Sequence, residues 1–117
     1  MRALLVASMM VGVACAAPIA ATRIAVDAPE SSLISAARQA ELAMMVKHDC
    51  GSCHGLTLKG GLGRPLVRER MAALPTETLA ALILGGVPGT AMPPWLGIVT
   101  AEEARWIAAG LRQGAFQ

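Results

Sequence analysis

The sequence holds no tyrosine, one phenylalanine and two tryptophans in 117 residues. The large flat side chains that fill a small core are nearly missing, and a chain of this length is one domain. Such a domain has limited material for a core unless a further apolar body completes it. Histidine is almost as scarce, with His48 and His54 the only two. There is no second cysteine pair either, so a four-ligand zinc site has to come from Cys50, Cys53, His54 and His48, too crowded for a tetrahedral cage. Charge is thin, with a net +2 and no interleaving of basic and aromatic residues, which argues against nucleic-acid binding. No G-K-[ST] closes a glycine-rich run, so Walker-type phosphate binding is excluded. No βαβ alternation surrounds the cysteine pair, which removes the usual setting of a thioredoxin-like dithiol. No internal repeat is visible.

What is present centres on Cys50-Gly51-Ser52-Cys53-His54. C-x-x-C-H is the attachment signature of a c-type haem. Two thiols three positions apart reach the two vinyl groups on one side of a porphyrin, and the adjacent imidazole turns to the iron. Gly51 and Ser52 are small enough to let the chain fold tightly against the macrocycle. Haem also supplies the flat apolar body that the composition lacks.

Arg2 followed by an uncharged apolar run and Ala14-Cys15-Ala16 has the pattern of an export signal. We read 1–21 as a signal peptide, which carries Cys15 away on cleavage, 22–35 as a flexible leader, and 36–117 as the haem domain. Two alternatives stay open: an uncleaved anchor over 3–22, and Cys15 as a lipidated N-terminus, although Gly12 sits where a bulky aliphatic residue is expected before such a cysteine.

A first helix is expected from Ala36 to about Lys47, capped by Ser35, with Ala36, Ala40, Ala43, Met44 and Lys47 along one face. A second is expected from Pro75 to about Leu84, with Thr76 as its cap, Leu79, Leu82 and Ile83 as its apolar stripe, and Gly85-Gly86 as its stop. The third and clearest runs from Thr100 to about Gln113. Thr100 and Glu103 form a capping box, and Ala104, Ile107, Ala108 and Leu111 form the buried face. Trp106, Ala109 and Gly110 are assigned to its crossing with the first helix. Between the first two helices, Gly55 to Leu66 reads as a glycine-rich loop. Leu62, Leu66 and Val67 are placed against the haem, and the Pro65 carbonyl is set to accept a hydrogen bond from His54. Lys59, Arg64, Arg68 and Arg70 make a basic stretch with three open uses: docking an acidic partner, neutralising haem propionates, or simple solvation.

Iron held by one histidine needs a sixth ligand, and a thioether suits an electron-transfer haem. Outside the export segment the methionines are Met44, Met45, Met71 and Met92. Met44 and Met45 lie in a helix and are assigned to the core. Met92 lies in Gly89-Thr90-Ala91-Met92-Pro93-Pro94-Trp95, where two prolines stiffen the backbone. We take Met92 as the ligand, with Trp95 either covering a haem edge or donating its N–H to a propionate.

A helix entering C-x-x-C-H, a loop, a middle helix, a methionine loop and a final helix resembles the class I cytochrome c family over about residues 36–115. The resemblance implies an all-α fold of three to four helices around one covalent haem c. It assigns the thioethers to Cys50 and Cys53, the axial ligands to His54 and Met92, and a crossing to the first and last helices. CGSCHGLTLKGGLGRPL and GGVPGTAMPPW are similar to the NirC-type cytochromes of denitrifying bacteria. Arg64-Pro65-Leu66 departs from the Gly-Pro-Leu common in the wider family. The likeness implies a monomeric periplasmic carrier with no catalytic residue, passing single electrons to cytochrome cd1 nitrite reductase, with neither nucleic acid nor a membrane as partner. Two alternatives stand beside it: a role in maturing the haem-d1 nitrite reductase, and a haem enzyme or gas sensor with a labile methionine ligand.

Overall fold

The structure, a computed structural model, describes residues 33–117. The expected export segment and the leader as far as residue 32 lie outside the described residues. The last leader residues are placed: Ile34 is buried and the Ser35 hydroxyl accepts from the Arg38 amide at 3.2 Å.

The regular structure of the described residues is helical, as the resemblance implied. Helix α1 spans Ala36–Met45 and runs without a break into a π-helical turn, Val46–Cys50, and then α2, Gly51–His54. A short α3, Arg68–Met71, precedes α4, Thr76–Gly85, and α5, Ala101–Gln113. Among the described residues no regular strand forms; Leu96 and Val99 make one isolated bridge.

The sequence placed the buried stripe of α1 on its alanines. The structure buries Leu42 and Val46 completely and leaves Met44 exposed. Leu42 and Val46 stand four residues apart on one face. Branched side chains gain more from leaving water than alanine does, so they decide which way the helix turns. Met45 is half-buried and packs against the core, as expected of it.

Helix α5 forms as anticipated. The Thr100 hydroxyl accepts from the Glu103 amide at 3.2 Å, and Glu103 Oε2 accepts from the Thr100 amide at 2.8 Å. Ala104, Ile107, Ala108 and Leu111 are all buried. The capping assignment at α4 needs correction. Pro75 occupies the cap position with no side-chain bond, and the Thr76 hydroxyl instead accepts from Arg112 Nη1 of α5 at 3.0 Å. The proline ring fixes φ at that position, −59°, and offers no side-chain acceptor to the first turn.

Helices α4 and α5 pack along each other, and α1 touches α5 near its start. That junction carries a two-pronged ion pair, Arg38 Nε to Glu103 Oε1 at 2.6 Å and Nη2 to Oε2 at 3.3 Å. Gly110 has a different role from the helix crossing expected of it. A Cβ there would lie 2.5 Å from the Phe116 ring, which folds back over α5 and meets Trp106 edge-on at 5.6 Å.

Candidate haem site

One large cavity, about 870 Å³, opens between the α1–α2 segment, α3, α4 and the loop before α5. Its wall is mostly apolar: Leu66, Met71, Leu79, Leu82, Ile83, Trp95, Val99, Ile107 and Leu111 all reach it. Cys50, Cys53, His54 and Met92 line this same space. Residues far apart in sequence thus converge on one apolar volume.

The continuous helix places the motif. Cys50 ends the π-helical turn and Cys53 and His54 sit in α2. A π turn inside a helix shifts the register of the residues beyond it, and such turns gather at functional sites. The Ser52 hydroxyl donates to the Asp49 carbonyl at 2.6 Å and helps close the turn. Burial, with a smaller contribution from the charge of Asp49, pushes the Cys50 thiol up to about 11. A thiol held protonated is a poor nucleophile, which counts against a dithiol redox pair.

After His54 the chain doubles back on itself. The Gly63 amide donates to the Cys53 carbonyl at 2.7 Å and the Gly60 amide to the His54 carbonyl at 2.8 Å, satisfying the free end of α2. Leu58 anchors the loop. It is 1% exposed, it takes a left-handed φ of 55°, and its carbonyl accepts from the Leu66 amide at 2.8 Å. This return brings the Arg64 carbonyl to 2.6 Å from His54 Nδ1. A carbonyl only accepts, so Nδ1 carries the proton and Nε2 keeps its lone pair for a metal. The expected acceptor was the Pro65 carbonyl, and the structure moves that bond one residue upstream. Gly63 lies flat against the imidazole, where a Cβ would come within 2.7 Å of Cε1 and Nδ1. Leu62 and Leu66 reach the cavity as expected, whereas Val67 is not part of its wall.

The Met92 loop hangs from the end of α4. The Trp95 amide donates to the Ile83 and Leu84 carbonyls at 3.1 and 3.2 Å, and the Leu96 amide to Leu84 at 3.1 Å. Gly86 turns the chain at φ 68°, and a Cβ there would lie 2.7 Å from the Met92 carbonyl. Thr90 completes the loop: its hydroxyl donates to the Val87 carbonyl at 2.8 Å and accepts from the Met92 amide at 3.2 Å. Sequence reasoning alone passes over Thr90 as an organiser. The signal was available, since a threonine two residues before the key position is the pattern of a side-chain-closed turn.

The donor set suits haem. Two thiols, an imidazole with its Nε2 free and a thioether share an apolar cavity. Among the described residues no three His, Cys, Asp or Glu side chains come together as a cage for a bare metal ion.

A helical chain whose C-x-x-C-H segment opens into such a cavity is a c-type cytochrome, and comparison with known proteins shows that this chain belongs to the cytochrome c family and binds haem c covalently. Residues 37–109 match the family described as cytochrome C oxidase, cbb3-type, subunit III. Cytochrome c55X of Paracoccus denitrificans is 55% identical over 73 residues, 62% of this chain and 71% of that protein. Cytochrome c55X of Pseudomonas aeruginosa is 47% identical over 79 residues, 68% of this chain and 66% of that protein. A solved structure of c-type cytochrome NirC superposes with a TM-score of 0.68 at 46% identity, covering 70% of this chain and 96% of that one. Among the described residues no helix is long and apolar enough to cross a membrane.

Proposed function

We propose that Cys50 and Cys53 form the thioether links, that His54 and Met92 ligate the iron, and that the protein carries single electrons to cytochrome cd1 nitrite reductase in the periplasm. The observation that carries the reading is the convergence of these four side chains on one apolar cavity. The haem supplies the one-electron couple. The chain's own part is to fix its geometry and surroundings. The Arg64 carbonyl holds the His54 ring in one tautomer. The Thr90 turn sets the backbone of Met92, and the leucine and isoleucine walls exclude water. His54 and Met92 together would leave a bound iron no open position, which would suit transfer over catalysis, and a thioether would favour the reduced state. The likeness to NirC supports nitrite reductase as partner. The export pattern of 1–21 supports the periplasm, with 22–35 as a leader and 36–117 as the haem domain.

The test is a spectrum of the exported protein, oxidised and reduced, with a denaturing pyridine step, followed by rapid mixing of reduced protein with oxidised cytochrome cd1. A c-type spectrum with the weak red band of thioether-bound ferric iron, and oxidation at a useful rate, are expected. A c-type spectrum without that band removes Met92 as ligand and brings forward the sensor reading. Transfer too slow to matter leaves maturation of the reductase as the role.

A further inference from the structure

The two thiols of the motif stand in different surroundings, although only three positions apart. Cys50 closes the π-helical turn. The Gly51 amide that follows it reaches back to the Val46 carbonyl, and Val46 is completely buried. Cys50 itself is half-buried and packs against the core. Gly51 is buried as well, and a Cβ there would lie 3.3 Å from the Leu56 Cα. Ser52 and Cys53, one step further on, are both exposed. Both cysteines line the cavity. One thiol is therefore held against the interior by the incoming helix, and the other meets the cavity and the solvent together.

Covalent attachment asks the same reaction of each thiol. The sulfur bonds to the inner carbon of a vinyl group, the π pair of the double bond takes a proton at the terminal carbon, and the proton leaving the thiol balances it. No electron is gained or lost. The thiolate is the reactive form. Burial, with the charge of Asp49 behind it, holds the Cys50 thiol at about 11 against an ordinary 9.0, so roughly a hundredfold less of it is thiolate at neutral pH than in a free cysteine. Packing against the core also restricts the rotamers through which Cys50 can swing. Cys53 bears neither constraint of the interior.

We propose that the two thioether bonds form in a fixed order, Cys53 first and Cys50 second. Cys53 captures the group from the solvent side and tethers it in the cavity. Cys50 then reacts within one molecule, where proximity offsets the scarcity of its thiolate. On this view the second bond completes only when the π-helical turn has brought Cys50 to the cavity wall. The inference rests on reading the cavity as the haem site.

The experiment follows attachment in cells that express the full-length chain together with haem-attachment machinery. Samples are taken through induction with haem limiting, free thiols are capped with iodoacetamide in denaturant, and the tryptic peptide 48–59, which holds both cysteines, is mapped by mass spectrometry. Protein joined by one bond is expected to carry haem at Cys53 and the cap at Cys50, outnumbering the reverse by about tenfold. The reverse pattern, an even mixture, or no one-bond protein at any time overturns the proposal, and none of these needs a variant to fold. Cys50→Ala is expected to keep a single covalent bond in most molecules, and Cys53→Ala to fall to about a tenth of that yield. Equal yields overturn the proposal. If the burial of Cys50 serves only to hold the fold, Cys50→Ala lowers the unfolding midpoint and the wild-type map stays even, which also overturns it. A chain with no haem-bearing peptide at any time fails the haem reading itself, and the proposal falls with it.

Discussion

The loops on either side of the cavity, 55–66 and 86–96, present the two proposed iron ligands by different means. The first is anchored by a side chain: Leu58 is fully buried, and the His54 ring is gripped between the Arg64 carbonyl and Gly63. The second holds no buried side chain between residues 87 and 96. It is fastened by backbone bonds to the end of α4 and by the Thr90 hydroxyl, while Val87, Met92 and Trp95 face the cavity. One ligand is held by a loop anchored in the protein core, and the other is borne on a strap that faces the cavity. Damage to the first loop should therefore cost the whole domain, and damage to the second should cost the methionine bond alone.

The largest effect is expected from Leu58→Ala. Emptying a fully buried leucine costs about 2–5 kcal/mol, and this leucine ties the histidine loop to the core. Denaturant unfolding of the haem-loaded protein should show that loss, with the fraction of protein loaded during expression falling in parallel. A loss below about 1 kcal/mol would mean that the loop is held by its backbone, as its counterpart is.

A matched pair of glycine substitutions puts the comparison most directly. Gly63→Ala drives a methyl into the imidazole, and Gly86→Ala drives one into the Met92 carbonyl. Each also forces a backbone or ring to move, at a cost on the order of 1–3 kcal/mol. At Gly63 the expected outcome is poor haem loading and loss of the low-spin spectrum. At Gly86 it is a normal reduced spectrum with the red thioether band of the ferric form weakened or gone. Identical spectra from the two variants would erase the distinction between core-built and strap-borne ligands.

Much of this arrangement was legible in the residues. C-x-x-C-H identifies itself by chemistry, the Thr100–Glu103 capping box fixed the start of α5, and Met92 stood out because two prolines come directly after it. What the sequence hid was set by tertiary geometry. Which carbonyl meets His54 depends on how a glycine-rich loop closes, and a one-residue error moved it from Arg64 to Pro65. The buried face of α1 was misjudged because its alanines follow the helical period as well as Leu42 and Val46 do, and only packing shows which face wins. The role of Thr76 was misassigned because Pro75 takes the cap position and Thr76 is already inside the helix, where its hydroxyl meets Arg112 of α5.

Thr90→Ala is expected to be milder. It removes one hydrogen bond to the Val87 carbonyl and one from the Met92 amide, a loss of about 1 kcal/mol. Global unfolding should move little. The red band should instead bleach at a lower denaturant concentration than the fold is lost, separating two transitions that coincide in the wild type. Coincident transitions in the variant would show that the strap cannot open without the domain.

The smallest effect concerns the junction that serves both loops at once. Arg38 stands on the helix that leads into Cys50, and Glu103 on the helix that leaves the methionine loop. The Arg38 guanidinium, and behind it the Thr100 amide, hold the Glu103 carboxyl below its ordinary value of 4.5. A carboxyl depressed by folding stabilises the native state above its unfolded pKa, and that contribution is lost as pH falls through the folded pKa. The wild type should therefore lose stability progressively below about pH 4.5, and Glu103→Gln should flatten that part of the profile while being less stable at neutral pH. Glu77→Gln, at the exposed pair with Arg105, is the control and should change stability by less than about 0.5 kcal/mol. Because the Arg38–Glu103 pair joins the two sides, Glu103→Gln should shift the loss of the red band and the loss of the fold together. If it shifts the red band alone, the clamp belongs to the methionine strap, and the boundary between the two modes of holding a ligand lies further toward α1 than the hydrogen bonds place it.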